Sequence, residues 1–556
     1  MKRLWAIPVL IAGLSFPSPS HAIIDMKNSN YSESWLDVSL PTSGYALKVK
    51  RYYNSRSIFN GIFGFGWCSE FETNIEKTAE GRLKLTECGA GQEVIYAPAR
   101  FSAKDLDKTV NAILAYFKKT DSAATPQRTA LLRDQLMDNA GLRNRWAKQA
   151  GIPIPDVKKG TVYSAENLEV EQIKFDDSGY TRTLSDGSSQ KFDVSGHLTH
   201  LYDKNGNFLK LVYGTDNIRE VIDNSGKKLS FSFSGKRVQQ ITGPNGLTVS
   251  YKYKGEDLTE VKNMWKNAYT YEYDETHNLT HIGFPDKTFK ALAYNKEKDW
   301  VLSFTDRAVG GVSCTENYKY EMDRVTPQDH FWSIAVKKCG KEIKNEARFE
   351  FWYKTRADGR KYLSRVLTKS YTDTLDVTYH SEFGRPTTIK KGGVTTQFAY
   401  FPNGLIQEKS TSNARLLYEY KNQWNKVSKV STEIFDAKGK KIKDRGTDFS
   451  YDGRANLIAA KNSDGQSVTL TYDGHGRIAT ITDQAKKEVL IKYDERTGKP
   501  SSISRPKVGS INVVYKPSGE ISKVNSDDGP TVAIQISSTF NNLLDIIAPA
   551  TSDLSI

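Results

Sequence analysis

Residues 472–481 read Tyr472-Asp473-Gly474-His475-Gly476-Arg477-Ile478-Ala479-Thr480-Ile481, and close relatives of this stretch recur from residue 192 almost to residue 515. Tyr451-Asp452 precedes it and Tyr493-Asp494 follows it, so three Tyr-Asp pairs stand 21 residues apart. The same aromatic slot is held by Phe192, Tyr213, Phe233, Tyr253, Tyr273 and Tyr294, at spacings of 20 or 21 residues. Later anchors at Tyr320, Tyr353, Tyr379, Tyr400 and Tyr420 are less even, as loop insertions would make them.

Each unit runs aromatic, often Asp, a short polar stretch with Gly, then apolar residues at alternate positions, as in Leu258-Thr259-Glu260-Val261. That pattern predicts a strand, a tight turn and a strand: Gly supplies the positive-φ position, Asp bonds its own backbone, and period two turns one face inward. A lone hairpin is marginal in water, so successive hairpins must stack edge to edge, with the aromatic and aliphatic slots as core. The fold class is therefore all-β, an array of hairpins forming a curved sheet or a partial hollow shell over 161–515, followed by a cap or tail at 516–556.

The hydrophobic share of 38% suits a thin antiparallel structure with one wet face. Met1-Lys2-Arg3, the apolar run Leu4 to Phe16 and the segment ending His21-Ala22 have the three parts of a secretory signal over 1–22. The run is too short to span a bilayer, and no later segment is long and apolar enough, so an exported chain without a transmembrane segment is expected, in the periplasm, on the outer surface or secreted. The formal charge of +14 falls to +12 without Lys2 and Arg3. Such a surface favours anionic partners, but Lys and Arg alternate with Asp and Glu rather than forming runs, so no nucleic-acid groove is expected.

Four cysteines allow three connectivities, and their placement favours Cys68 with Cys88 and Cys314 with Cys339, as structural disulfides closing loops of 20 and 25 residues. No pair has C-x-x-C spacing, which argues against a zinc or redox motif. His197 and His200 face opposite sides of a strand, and His277 and His281 lie too far apart for one metal. His200 and His281 also fill the same slot of two units, "LTHL" and "LTHI". No nucleophile elbow, metalloprotease helix, phosphate loop or dinucleotide fingerprint occurs. The expectation is no enzyme, no metal, no cofactor and no catalytic residue.

Residues 98–160 change period. Leu106, Val110, Ile113, Leu114 and Phe117 lie at helical spacing, and Leu131, Leu132, Leu136 and Trp146 suggest a second helix. Ser102 with Asp105 reads as a capping box, and Thr125-Pro126 as an N-cap with Pro at the first position. A helical hairpin inserted after a β domain at 23–97 is predicted, packed passively on the β surface.

Within that β domain, "RYYNS" at 51–55 and "GIFGFGW" at 61–67 resemble the segment that opens bacterial Rhs (rearrangement hotspot) proteins and introduces their YD repeats. Residues 179–207, with Gly179-Tyr180, Phe192-Asp193 and Asp203-Lys204-Asn205-Gly206-Asn207, resemble the passage leading into those repeats. The resemblance implies a Gram-negative source and a hollow shell. Toxin-bearing members end in a core segment resembling R-Y-Y-D-P-x-x-G-R-F that supports self-cleavage. No such segment occurs here, so no C-terminal toxin is expected on this chain.

Three functions follow from this reading. The leading one is a non-enzymatic structural or binding protein of the envelope or another cell's surface, touching glycan or lipopolysaccharide. The second is a shell component for a separately encoded toxin or a second YD-repeat chain, as in toxin complexes. A carboxylate-based hydrolase ranks far below both.

Overall fold

The computed structural model describes residues 23–526 except 89–91, 123, 166–170, 216, 310–311, 358–359 and 517–518, together with 534, 536, 538 and 546. The signal segment 1–22 and most of the predicted C-terminal cap, including Asn541 to Ala548 apart from Ile546, lie outside the described residues.

The repeat unit forms as its chemistry dictates. In the hairpin of strands Ser467–Tyr472 and Ile478–Asp483, Asp473 Oδ1 accepts the amides of His475 at 2.9 Å and Arg477 at 3.0 Å. Asp452 does the same for Arg454 and Asn456. The left-handed position of this turn is filled by Gly476 at φ 78°, by Ala455 at 59° and by His277 at 67°. The Asp bonds thus hold the turn even where a side chain pays for the conformation.

Every regular unit also carries a β-bulge just before its aromatic slot. The register shifts at Val212/Tyr213, Lys252/Tyr253, Thr471/Tyr472 and Lys492/Tyr493, among others. A bulge bends its strand and adds twist, so one per unit curves the whole array. Most slot tyrosines are half-buried rather than full core, and in several units the hydroxyl reaches the wall's backbone. Tyr472 donates to the Leu457 carbonyl at 2.7 Å, Tyr493 to Ile478 at 2.8 Å and Tyr213 to Leu198 at 2.9 Å. Full burial falls two residues earlier, at Leu211, Phe231, Tyr251, Tyr271 and Leu470.

These hairpins make one antiparallel ladder. It starts at strand Asn74–Lys77, passes through Leu83–Glu87, Gln92–Pro98 and Val162–Ala165, and continues in sequence order to Ile521–Ser526. Among the described residues no ladder joins its two end strands, so the sheet is open. The wall nonetheless touches itself through turns far apart in sequence. Asn456 Nδ2 donates to Asn205 Oδ1 and Asn207 Nδ2 to the His475 carbonyl, both at 2.9 Å.

The opening segment is divided among three sheets, the smallest being the pair Asn60–Gly61 and Gly64–Phe65. Strands Ile23–Asp25, Asn30–Leu40, Leu47–Asn54 and Trp67–Ser69 form a separate four-stranded sheet, while Asn74–Lys77, Leu83–Glu87 and Gln92–Pro98 belong to the ladder. The small sheet lies on the inner face of the early repeats. There Trp35, Val38, Leu47, Tyr53 and Trp67 share one core with Val249, Tyr251, Leu258, Tyr271 and Leu279.

The insertion holds three helices where two were expected: α1 (Ala103–Thr120), α2 (Pro126–Asp138) and α3 (Ala140–Gln149). The second predicted segment breaks at Asn139, whose side chain accepts the Leu142 amide at 2.8 Å and starts α3. The predicted caps Ser102 with Asp105 and Thr125 form. Val110, Ile113, Leu114, Phe117, Leu136 and Ala147 make a small core of their own. Fully buried Arg143 of α3 then binds Glu80, between two ladder strands, at 3.0 Å. Because Gln92–Pro98 pairs with Val162–Ala165 beneath it, the bundle interrupts the chain but not the ladder.

Candidate functional site

The densest polar chemistry lies where the opening sheet meets the repeats. Alternation along Asn30–Leu40 points Glu33, Trp35 and Asp37 inward together. Asp37 receives Nε and Nη2 of fully buried Arg51, the latter at 3.1 Å, and also the Tyr251 hydroxyl at 2.9 Å. The guanidinium lies over the Trp67 ring, 4.5 Å from its centroid, and Nη2 reaches the Tyr271 hydroxyl. Burial opposes the Arg51 charge, but Asp37 and the two phenols more than offset it and hold the group above its ordinary value. Nearby, Glu33 takes Lys290 Nζ at 2.6 Å and the Tyr31 hydroxyl. Burial, with Glu33 second, drives the Tyr31 phenol well up.

The motifs singled out in the sequence are therefore docking elements. From "RYYNS", Arg51 makes the ion pair, Tyr53 accepts the Leu279 amide at 2.9 Å, and Ser55 Oγ accepts that of Tyr31. From "GIFGFGW", Trp67 Nε1 donates to the Tyr273 hydroxyl at 2.8 Å and the Phe65 amide to the Glu256 carbonyl at 3.0 Å. Gly64, at φ 103°, lies so close to that carbonyl that a Cβ would stand 2.8 Å from it.

One carboxyl has the perturbation expected of an acid catalyst. Burial pushes Glu72 up to about 7, against hydrogen bonds from Ile62 and Ser69 that favour the charged form. It borders a cleft of about 470 Å³ shared with His197 and Tyr213. Its oxygens, however, accept the Ile62 amide at 2.6 Å and the Ser69 amide at 2.9 Å, which fixes the loop around Gly61. His197 instead faces Asp193 at 3.2 Å.

The histidines are dispersed along the wall. His200 stacks on Tyr202 and His281 on Phe289, equivalent positions of two units. Among the described residues no group of three or more His, Cys, Asp or Glu has the arrangement of a metal site. No helix among them is long and apolar enough to cross a membrane.

Cys314 and Cys339 form a disulfide between directly opposed residues of adjacent strands. Cys68 and Cys88 do not follow the expected pairing: both are free, buried thiols. They meet as hydrogen-bonded neighbours, and that bond together with burial pushes the Cys88 thiol far above its ordinary value.

Sequence reasoning missed two features. Asp37 and Glu33 were detectable as carboxylates on the apolar phase of an alternating strand. The other is an aromatic cleft of about 300 Å³ containing Trp300, Tyr320 and Trp332 beside Arg56 and Lys27. It joins residues some 270 positions apart, so no local pattern announces it.

Two family profiles match the chain: a domain of unknown function (DUF6531) at residues 22–96 and the RHS repeat at residues 451–487. No curated protein matches. Among solved structures, the chain is similar to the crystal structure of TcdB2-TccC3-TEV, with 10% identity and a TM-score of 0.43 over 91% of this chain. It is also similar to the Photorhabdus luminescens Tc holotoxin pore, at 10% identity and a TM-score of 0.38 over 92% of this chain. In both cases it spans 28% of the length of the matched chain.

Proposed function

We propose, from the premise that the chain is an Rhs/YD-repeat protein, that it works without catalysis as an exported structural shell and surface-binding protein in envelope or intercellular contact. The observation that carries this reading is the use of its repeated chemistry. The Tyr-Asp pairs at 451, 472 and 493 are all spent on the wall, the Asp on its own turn and the Tyr hydroxyl on a neighbouring carbonyl. The buried carboxylates Asp37, Glu33, Glu72 and Glu80 are likewise committed to docking contacts.

A second reading, a shell that encloses or delivers a separately encoded toxin, draws support from the open ladder. Among the described residues its end strands Asn74–Lys77 and Ile521–Ser526 do not pair with each other; the Ile75 amide already donates to the Gly196 carbonyl at 2.9 Å, so the edge at Ile521–Ser526 is the place for a second chain to extend the wall. The native mass of the protein, purified gently from its producing cells, separates the two. A bare chain supports the surface role, and a partner in fixed ratio supports the shell with cargo.

A further inference from the structure

The aromatic cleft lies between the first turn of the opening sheet and the hairpins that follow residue 295. Its walls are half-buried rings set at angles: Tyr320 meets Trp300 edge-on with centroids 5.3 Å apart. Two of these rings are held by hydrogen bonds. The Tyr320 hydroxyl donates to the Val301 carbonyl at 2.7 Å, and Trp332 Nε1 to Glu321 at 2.6 Å, which fixes the plane of that indole.

The rim is cationic. Lys27 and Arg56 border the cleft, and Lys298 Nζ lies 4.5 Å from the Trp300 centroid. Arg56 Nη1 donates to the Lys298 carbonyl at 3.1 Å, which holds these two cationic residues together. Several other cations of these hairpins are paired, Arg348 with Glu350, Lys361 with Asp329 and Arg365 with Asp376. Among the described residues Lys27, Arg56 and Lys298 have no ion-pair partner.

We propose that this cleft binds an acidic saccharide, with a sugar ring against Trp300 and Tyr320 and its carboxylate or phosphate held by Lys27, Arg56 and Lys298. A pyranose has one face of C–H bonds, weakly positive and poorly hydrated, which suits an indole or phenol face. Its hydroxyls need fixed polar groups at the edge, and Asn28 and Glu321 stand there. The unpaired cations select for charge, since a carboxylate or phosphate would gain the counter-charges the protein leaves open. Fixed aromatic walls also reduce the ordering cost of binding. This inference rests on the surface-binding role proposed above and names its ligand class.

The test uses the full mature protein, with tryptophan fluorescence and titration calorimetry. Tetragalacturonate supplies the carboxylate arm, a mannose-6-phosphate-terminated oligosaccharide the phosphate arm, and maltotetraose the neutral control. One acidic arm binds at least tenfold more tightly than maltotetraose. The Lys27→Glu/Arg56→Glu double variant, altered at exposed positions, weakens it at least tenfold, and Trp300→Ala removes the fluorescence change. Should Trp300→Ala fail to fold, the charge-reversal variant decides. Acidic binding that survives these variants overturns the cleft and leaves the surface role standing. A wild-type protein that binds neither these probes nor any member of a broad saccharide array overturns both.

Discussion

Replacing Arg51 with Met should undock the opening sheet. The substitution keeps an unbranched side chain over Trp67 but leaves Asp37 buried with the Tyr251 hydroxyl as its remaining side-chain donor. Leaving one member of a buried pair uncompensated costs about 3–5 kcal/mol. Asp37→Asn strands the guanidinium and should cost a similar amount. The double variant Arg51→Met/Asp37→Leu removes both charges from a site already lined by Trp67, Tyr251 and Tyr271, so it should cost far less than the sum, with a coupling of at least ~2 kcal/mol. The exposed pair Lys252–Glu260 sits on the adjoining repeats, and its loss should cost no more than about 1 kcal/mol. Urea midpoints followed by tryptophan emission report directly, since Trp67 lies 4.5 Å below the guanidinium. Single variants that stay within ~1 kcal/mol of wild type, or that add without coupling, would refute the view that this pair locks the two sheets.

Four further outcomes follow from the same contacts. Glu72 is raised from its usual 4.5 to about 7, so the fold prefers its protonated form; its contribution is full below pH 4.5 and is lost as pH rises through 7, about 3 kcal/mol in all. Glu72→Gln should flatten that part of the stability profile, and an unchanged slope between pH 4.5 and 8 counts against the assignment. Tyr472→Phe should cost about 1 kcal/mol for one hydrogen bond, seen as faster amide exchange near Leu457 and Ile478 and nowhere remote. Removing the Cys314–Cys339 bond, which closes a 25-residue separation, should cost on the order of 3 kcal/mol; a melting temperature indifferent to reductant contradicts this. Arg143→Met should free the helices from Glu80, so that limited proteolysis cuts within 103–149 while the ladder beneath stays resistant.

The local half of this architecture was legible. Turn chemistry at Asp473, the alternation in Leu258-Thr259-Glu260-Val261 and the caps at Ser102 and Thr125 each act within a few residues, so period and residue type are sufficient to place them. The bulge before each aromatic was not, because it is a mismatch between two strands and neither strand alone encodes it. It also explains why the slot tyrosines are only half-buried: the shift tips Tyr472 toward the Leu457 carbonyl and leaves full burial to Leu470. The Cys68–Cys88 pairing came from proximity in sequence, which brought the two thiols into contact but does not decide their covalent state. The aromatic cleft depends on Lys27 and Arg56 meeting Trp300, a contact that exists only once the opening sheet has docked.

Docking itself poses a problem that a repeat protein must solve. An array with an apolar position every ~20 residues offers the opening sheet many nearly equivalent registers. The buried positions two residues before successive slots read Leu211, Phe231, Tyr251, Tyr271 and Leu292, and only Tyr251 and Tyr271 carry hydroxyls. Those are the hydroxyls that meet Asp37 and Arg51. A slide of one unit would set the ion pair against Phe231 or Leu292 and move Glu33 away from Lys290, leaving buried charges short of partners at a cost of several kcal/mol. Apolar burial then supplies the affinity of the opening sheet for the wall, while the buried polar groups choose where along the wall it sits. On this account the Tyr251→Phe/Tyr271→Phe double variant loses uniqueness of docking more than overall stability. Crosslinking between cysteines placed at Asn60 and Glu256, whose side chains meet at 2.6 Å across the two parts, should then spread to neighbouring repeats, and a single unchanged crosslink would argue that shape alone sets the register.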